Sequence, residues 1–184
     1  RKFDAAPLQV PRPRGAPQPP AEDDEFAPDY HLKRIAAAGQ RLYIAAEAGQ
    51  LYRSDDGGAS WVTLQSPYAG SFFGLLPLDG DALLAFGLRG NLFRSDDAGA
   101  SWRALGSGAT AMLTDAVRIG PAQLALVGLS GSVLISADGG ASWALQQQAD
   151  RKGLSAVIAS PDGTLLAVGE GGARRIPLQA GETP

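Results

Sequence analysis

Carboxylates are the side chains in this sequence that could most directly perform chemistry. Asp56, Asp97 and Asp138 recur every 41 residues, each within the same short motif, and Glu47 and Glu170 also occupy corresponding repeat positions. Two facing carboxylates can serve as the general acid and the nucleophile or base of a glycoside hydrolase. A pair such as Glu47 and Glu170, facing each other across a channel, is therefore one chemistry that the residue types permit.

The composition excludes several other kinds of site. The chain has 184 residues, no cysteine and a single histidine, His31, which rules out disulfides, thiolate sites and sites with two imidazoles. The net charge of −3 argues against a nucleic-acid partner, and no apolar run is long enough to span a membrane. Phosphate-binding and calcium-binding loop patterns do not occur. We expect no cofactor, no metal ion, no nucleic-acid partner and no membrane span.

The three repeated aspartates belong to the motif Ser-x-Asp-x-Gly-x-Ser-Trp. In such a turn the aspartate can accept backbone N–H bonds, the glycine can adopt a positive φ, and the tryptophan can pack between sheets. We therefore interpret the motif as a structural turn between a third and a fourth strand, and not as a catalytic site. Its defining positions are Ser54, Asp56, Gly58 and Trp61; Ser95, Asp97, Gly99 and Trp102; and Ser136, Asp138, Gly140 and Trp143.

The elements that position this motif are predicted to be the blades of a β-propeller. A fixed period near 41 residues with turn residues in register is typical of that fold, and short apolar runs within each repeat indicate strands. The sequence thus predicts an all-β chain with four blades, at residues 30–66, 67–107, 108–148 and, incompletely, 149–178. In the second blade we expect strands at Phe72–Leu76, Ala82–Phe86, Gly90–Arg94 and Ser101–Ala104.

The fourth repeat departs from the first three because it has no motif. Spacing places Pro177 where Ser54, Ser95 and Ser136 stand, and it aligns Ile158 with Ile35, Leu76 and Val117. The last blade is therefore expected to lack its outer strand. Exposed blade faces are an association risk, so we expect either a longer polypeptide with further N-terminal blades or self-association through the terminal blades.

Residues 1–29 differ from the repeats in composition. They hold seven of the thirteen prolines and the acidic run Glu22–Glu25, which favours an extended linker or an insertion between blades. The chain begins with Arg1, without an export signal, as expected of a processed chain or a fragment.

The motif resembles the Asp-box of bacterial sialidases and related propellers, also called the BNR repeat. The whole repeat, with Gly-x-x-Gly before the third strand, resembles the photosystem II stability/assembly factor family more closely, over residues 30–178. That resemblance implies the C-terminal part of a seven-bladed propeller. It also implies a non-enzymatic assembly or accessory factor, periplasmic or otherwise extracytoplasmic, which binds a membrane-protein complex through one propeller face.

The resemblance implies an arginine-bearing binding face, and repeat alignment places Arg89 in a loop of one face. We expect the partner-binding residues among the loops before the third strands and the loops that enter each blade. These residues are Glu47, Arg89, Ser130, Glu170, Tyr68, Phe72, Phe73, Arg151 and Lys152. Phe72 and Phe73 could instead both belong to an inner strand, with one packed and one facing the channel.

Two alternative functions remain open at this point. One is a sialidase-like or other glycoside hydrolase propeller, and the other is a sugar-binding propeller. The segment Arg175-Ile176-Pro177 matches one short sialidase motif, but a three-residue match in the last repeat is best interpreted as coincidence. The remaining arginine, tyrosine and acid constellation of a sialidase is not recognisable, so we expect no enzymatic activity.

Overall fold

Residues 30–178 are described by the computed structural model, and they form four consecutive antiparallel sheets. The predicted linker at 1–29 lies outside the described residues. The first three sheets have four strands each, and the fourth has three in the described part. The strands are β1 (Leu32–Ala38), β2 (Arg41–Ala46), β3 (Leu51–Ser54) and β4 (Val62–Thr63); β5 (Phe72–Pro77), β6 (Leu83–Gly87), β7 (Leu92–Ser95) and β8 (Arg103–Leu105); β9 (Leu113–Arg118), β10 (Leu124–Gly128), β11 (Ser132–Ser136) and β12 (Ala144–Gln147); and β13 (Leu154–Ala159), β14 (Leu165–Gly169) and β15 (Gly172–Ile176).

The sheets are arranged as propeller blades, which confirms the predicted fold class. Each sheet is a meander whose strands pair in chain order, and the first strands contact one another in the order β1, β5, β9 and β13. These first strands therefore lie innermost, around the axis of the propeller. The strands of the second blade lie within two residues of their expected positions.

Apolar side chains from adjacent blades form three layers of core. Between the first two blades, Tyr43 and Leu51 of one sheet pack against Phe72, Leu75 and Leu83 of the next. The same positions recur in the next two interfaces, with Leu84, Phe86 and other leucines in one and mainly valine, alanine and leucine in the other. The second strands β6 and β10 of the two middle blades are apolar on both faces because each is covered by a blade on either side.

The repeated motif forms the turn between the third and fourth strands of the first three blades. In the second blade, the Asp97 carboxylate accepts hydrogen bonds from the Ser95 hydroxyl at 2.8 Å, the Ser101 backbone N–H at 2.8 Å and the Ser101 hydroxyl at 2.6 Å. The Ser95 hydroxyl in turn accepts the Gly99 N–H at 2.8 Å. Because these donors favour the ionised carboxylate, the pKa of Asp97 falls from 3.8 to about 2.

Arginine side chains connect the motif turns of the second and third blades to the blade that precedes each. Arg53 Nη1 donates to the Ala98 carbonyl oxygen at 3.0 Å, and Arg94 Nη1 donates to the Gly139 carbonyl oxygen at 2.5 Å. Both arginines come from a third strand and reach the turn of the following blade. The bond is therefore a repeated polar feature of the blade interface, beside the apolar core.

Two positions differ from the spacing-based alignment because hairpin lengths vary by one residue. Ile176 pairs with Leu165 just as Ser136 pairs with Leu124, so Ile176, and not Pro177, stands at the motif serine position. In the first blade, Ile35 pairs with Ile44 as Leu75 pairs with Ala85. The structural counterpart of Ile35 is therefore Leu75, and the alignment of Ile35 with Leu76 is wrong.

The acid sensitivity of the fold tests the role of the motif aspartates. The folded-state pKa of Asp97 lies below its usual value, so its bonds stabilise the fold above about pH 4, and this stabilisation is lost as the pH falls towards 2. We expect Asp97→Asn to lower the melting temperature at pH 7 and to flatten its decline between about pH 4 and pH 2.

The matched control is Asp96→Asn, in the same turn, because within residues 30–178 the Asp96 carboxylate forms ion pairs only with the side chains of Arg94 and Arg103. We expect this variant to retain the pH dependence of the parent, since the ion pairs of an exposed carboxylate such as that of Asp96 contribute little to stability. Melting curves followed by circular dichroism across pH 2–7 provide the measurement. Equal pH profiles for the two variants would contradict the assignment.

Candidate functional site

One end of the propeller, here called the loop end, collects the loops that the sequence singled out. Each loop before a third strand donates a backbone bond to the carbonyl that precedes the first strand of its own blade. The Leu88 N–H bonds the Ser71 carbonyl oxygen at 3.2 Å, and the Glu170 N–H bonds the Gly153 carbonyl oxygen at 2.9 Å. The motif turns contact the opposite hairpins instead, as in the 2.8 Å bond from the Ala98 N–H to the Asp81 carbonyl oxygen. The motifs therefore lie at the other end, away from the candidate site.

Each innermost strand carries a β-bulge where it starts at the loop end. The pairing skips one residue in every blade, and the skipped residues are Lys33, Phe73, Thr114 and Ser155. Bulges redirect side chains and are common next to functional sites. A glycine closes the second strand in three blades, and a Cβ at Gly87 would lie 2.3 Å from the Ser71 carbonyl oxygen. The repeat of this glycine at Gly87, Gly128 and Gly169 is the sequence pattern that could have indicated the bulge.

The bulge separates the two neighbouring phenylalanines. Phe72 is fully buried and makes edge contacts with the rings of Tyr68 and Phe93, so it belongs to the core and cannot contact a partner. Phe73 is only half-buried, and Lys33 Nζ lies 5.7 Å from its ring centre, within the range of a cation–π interaction. Phe73 therefore remains a surface candidate, Tyr68 is half-buried in the core cluster, and the prediction for Phe72 is corrected.

Arg89 lies exposed at the tip of its loop in a left-handed backbone conformation. Its φ is 58°, and the corresponding residues Ala48 and Ser130 have φ values of 52° and 57°. The next residue, Gly90, has a φ of 71°, and a Cβ there would lie 1.9 Å from the Ala109 carbonyl oxygen. The loop is thus held tightly against the connection that enters the next blade, and it presents the Arg89 side chain outward.

The two glutamates of the loop end each bond the start of their own blade. Glu47 Oε1 accepts the His31 backbone N–H at 3.1 Å and lies 2.8 Å from His31 Nδ1. The backbone bond, followed by the contact with the His31 ring, lowers the pKa of Glu47. Glu170 Oε2 accepts the Gly153 N–H at 3.0 Å. Both carboxylates thus bind backbone groups locally.

The cationic candidates Arg151 and Lys152 lie exposed in the connection that enters the fourth blade. Arg151 has a φ of 54°. The Lys152 side chain passes close to the Gly171 turn, and the Lys152 carbonyl oxygen accepts Arg174 Nη2 at 3.2 Å. Together with Arg89 and Lys33, these residues give the loop end four exposed cationic side chains.

The structure also reveals a buried carboxylate that the sequence reasoning did not single out. Asp115 of β9 is 7% exposed. Its Oδ2 accepts the Val157 N–H of β13 at 2.9 Å, and its Oδ1 lies 3.3 Å from Arg34 Nη2 of β1. The pair joins the inner strands of three blades. The sequence pattern that could have indicated this buried carboxylate is an acidic residue within the apolar run of β9.

Two kinds of feature are absent from residues 30–178. That part of the chain contains no cluster of three or more histidine, aspartate or glutamate side chains placed to hold a metal ion. It also contains no helix with the length and apolarity needed to cross a bilayer.

Comparisons with known proteins identify similar families and folds. The family model of the photosynthesis system II assembly factor YCF48 matches residues 18–173. A structure of YCF48 bound to D1 peptide is similar with a TM-score of 0.59 and 21% identity, over 77% of this chain and 46% of that one. A structure of YCF48 from Cyanidioschyzon merolae is similar with a TM-score of 0.61 and 14% identity, over 83% of this chain and 55% of that one.

A xyloglucanase of class GH74 from Xanthomonas campestris is also similar, with a TM-score of 0.62 and 21% identity, over 81% of this chain and 27% of that one. No curated protein matched the sequence. The chain spans about half the length of the two YCF48 structures. At these identities the structural matches establish the propeller fold.

A pair of glycine substitutions tests how tightly the Arg89 loop is held. Gly90→Ala and Gly39→Ala both place a Cβ at a left-handed residue, with φ of 71° and 63°, which costs roughly 1–2 kcal/mol in each case. Only Gly90→Ala also overlaps a backbone oxygen, whereas Gly39 has open space around it. We expect Gly90→Ala to lose a further 1–3 kcal/mol, roughly, in unfolding free energy. Urea titrations measure this difference, and equal losses would contradict the tight loop.

Proposed function

Because this chain belongs to the family of the photosynthesis system II assembly factor YCF48, we propose that it is a non-enzymatic accessory factor. In this proposal it acts outside the cytoplasm and binds a segment of a membrane-protein complex at the loop end. The D1 peptide in the YCF48 structure supports a polypeptide segment of a membrane protein as the kind of ligand.

The proposal rests on the hydrogen-bond partners of the carboxylates at the loop end. Glu47 and Glu170 each accept a backbone N–H at the start of their own blade, and the buried Asp115 is engaged by Val157 and Arg34. A glycoside hydrolase needs two carboxylates facing one bond. These three carboxylates instead act in structural bonds, which favours binding over hydrolysis.

The side chains that remain available at the loop end suit a peptide ligand. The turns at Ala48, Arg89 and Ser130 share one backbone conformation, so the turn itself does not require an arginine. A guanidinium there can donate to carboxylates and to backbone carbonyls. Phe73 beside Lys33 adds an aromatic surface, and aromatic residues with arginine are enriched in protein interfaces.

The alternative is a carbohydrate-active propeller, favoured by the fold similarity to the xyloglucanase. That similarity comes with 21% identity and supports the shared fold alone. Function depends on the site and not on the fold. We therefore keep hydrolysis as the outcome that would replace the proposal.

Binding of a labelled D1 peptide, measured by fluorescence anisotropy, tests the proposal directly. We expect saturable binding, and we expect Arg89→Glu to weaken it by about tenfold, or ~1.4 kcal/mol. The substitution replaces hydrogen-bond donors with a carboxylate, which repels the carboxylate and carbonyl oxygens of a peptide. The matched control is Arg103→Glu, an exposed arginine in β8 of the same blade, whose Nε lies 3.7 Å from Asp96 Oδ2.

Three results, from the binding experiment and from a hydrolysis assay of the same preparation, would count against the proposal. They are the absence of peptide binding, equal effects of the two arginine substitutions, and release of sugars from xyloglucan by the same preparation. Loss of such release in Glu47→Gln or Glu170→Gln would assign hydrolysis to the loop end.

A further inference from the structure

The innermost strand of each blade has one edge that pairs with no other strand in residues 30–178. There β1, β5, β9 and β13 each pair only with the second strand of their own blade. Buried backbone N–H and carbonyl groups are almost always hydrogen-bonded. The partners of these edge groups therefore indicate what kind of ligand the centre of the loop end can bind.

On β13, two side chains of the preceding blade bind the edge groups. The Thr114 hydroxyl donates to the Leu154 carbonyl oxygen at 2.7 Å, and Asp115 Oδ2 accepts the Val157 N–H at 2.9 Å. Both side chains come from the bulge of β9. A donor and an acceptor on adjacent residues thus satisfy one carbonyl and one N–H of the neighbouring inner strand.

The corresponding groups of β9 lack such partners in the preceding blade. Strand pairing makes the Leu113 carbonyl and the Ala116 N–H the counterparts of the two bound groups on β13. The counterparts of the two binding side chains are Phe73 and Gly74 of β5, which offer neither a donor nor an acceptor. Leu113 and Ala116 are both buried, so water or a ligand must satisfy these two backbone groups.

Gly74 keeps this edge of β9 open. The corresponding residues of the other three blades all have side chains, but a Cβ at Gly74 would overlap the ring of Phe86. Phe86 pairs with Gly74 across the hairpin and occupies the volume that a side chain would fill. The Arg34 guanidinium reaches β9 from β1, but it can only donate and so cannot accept the Ala116 N–H.

We propose that the polypeptide segment bound at the loop end is held by its main chain on the edge of β9, an inference that rests on the proposed function. A carbonyl of the segment accepts the Ala116 N–H, and an N–H of the segment donates to the Leu113 carbonyl oxygen. An extended polypeptide supplies both groups from its backbone, as Thr114 and Asp115 supply them to β13 from side chains. Phe73, half-buried at the bulge of β5, adds an aromatic contact for a side chain of the segment.

Two double variants of the second blade test this docking, and the other blades supply their design. Gly74→Asp with Phe86→Val reproduces the aspartate–valine pair of the third blade, whereas Gly74→Ala with Phe86→Val reproduces the alanine–valine pair of the fourth. Both lose the same ring, but only the aspartate can accept the Ala116 N–H and close the edge. In fluorescence anisotropy with labelled D1 peptide, we expect the aspartate variant to bind at least about tenfold more weakly than the alanine variant.

A third double variant, Gly74→Asn with Phe86→Val, separates hydrogen bonding from charge. Its amide oxygen is an acceptor without a net charge, so this variant should also bind the peptide more weakly than the alanine variant. Far-ultraviolet circular dichroism verifies that the three variants are folded. Weak binding by the aspartate variant alone would indicate charge repulsion and would overturn the proposal.

Peptides with one backbone amide replaced by an ester test the same bonds in the unsubstituted chain, whether or not the variants fold. An ester lacks the N–H donor and is a weaker acceptor. We expect one or two neighbouring positions of the D1 peptide to lose at least about fivefold in affinity, and the remaining positions to change by less than about twofold. A uniform response along the peptide would contradict main-chain docking.

The combined results distinguish this proposal from the proposed function. Peptide binding that Arg89→Glu weakens, but that neither Gly74→Asp with Phe86→Val nor any ester affects, would overturn main-chain docking alone. Absence of peptide binding by the unsubstituted chain would overturn both. Binding of xyloglucan oligosaccharides that is lost in the aspartate variant, without binding of the peptide, would assign the edge of β9 to a sugar.

Discussion

Burial of apolar side chains between neighbouring blades is the interaction on which the rest of this structure depends. A single blade cannot bury its apolar faces by itself, and each large side chain buried in these layers contributes roughly 1.5–3 kcal/mol. Phe72, Leu83 and their counterparts supply this energy at every interface. The period of 41 residues repeats this burial, because it places an apolar side chain at the corresponding position on the same face of each successive blade.

The loop end can serve as a binding surface because the blades fix its turns. Gly90 holds the Arg89 turn against the Ala109 backbone, and Glu47 and Glu170 bond the starts of their own blades. A surface arranged in advance loses less entropy when a ligand binds. Side-chain identity at the turn tips is free to vary on a constant backbone, as Ala48, Arg89 and Ser130 show.

The sequence predicted the features that recur at constant spacing and missed those that depend on how the strands pair. The motif aspartates, such as Asp97, and the apolar runs predicted the blades and the turns because each is a local pattern in constant register. The register of Ile35 and of Ile176 could not be predicted, because one residue gained or lost in a hairpin is invisible to spacing. Alternation left Phe72 and Phe73 undecided, and the bulge between them determines which one is buried.

Amide chemical-shift mapping is the most direct test of whether the loop end binds a polypeptide segment. The isotope-labelled chain would be titrated with the D1 peptide and, separately, with xyloglucan oligosaccharides. We predict peptide-induced shifts that cluster at Lys33, Phe73 and Arg89, while the motif turns around Asp56, Asp97 and Asp138 stay unchanged. Shifts confined to the motif turns, or shifts at the loop end caused by the oligosaccharides alone, would contradict it.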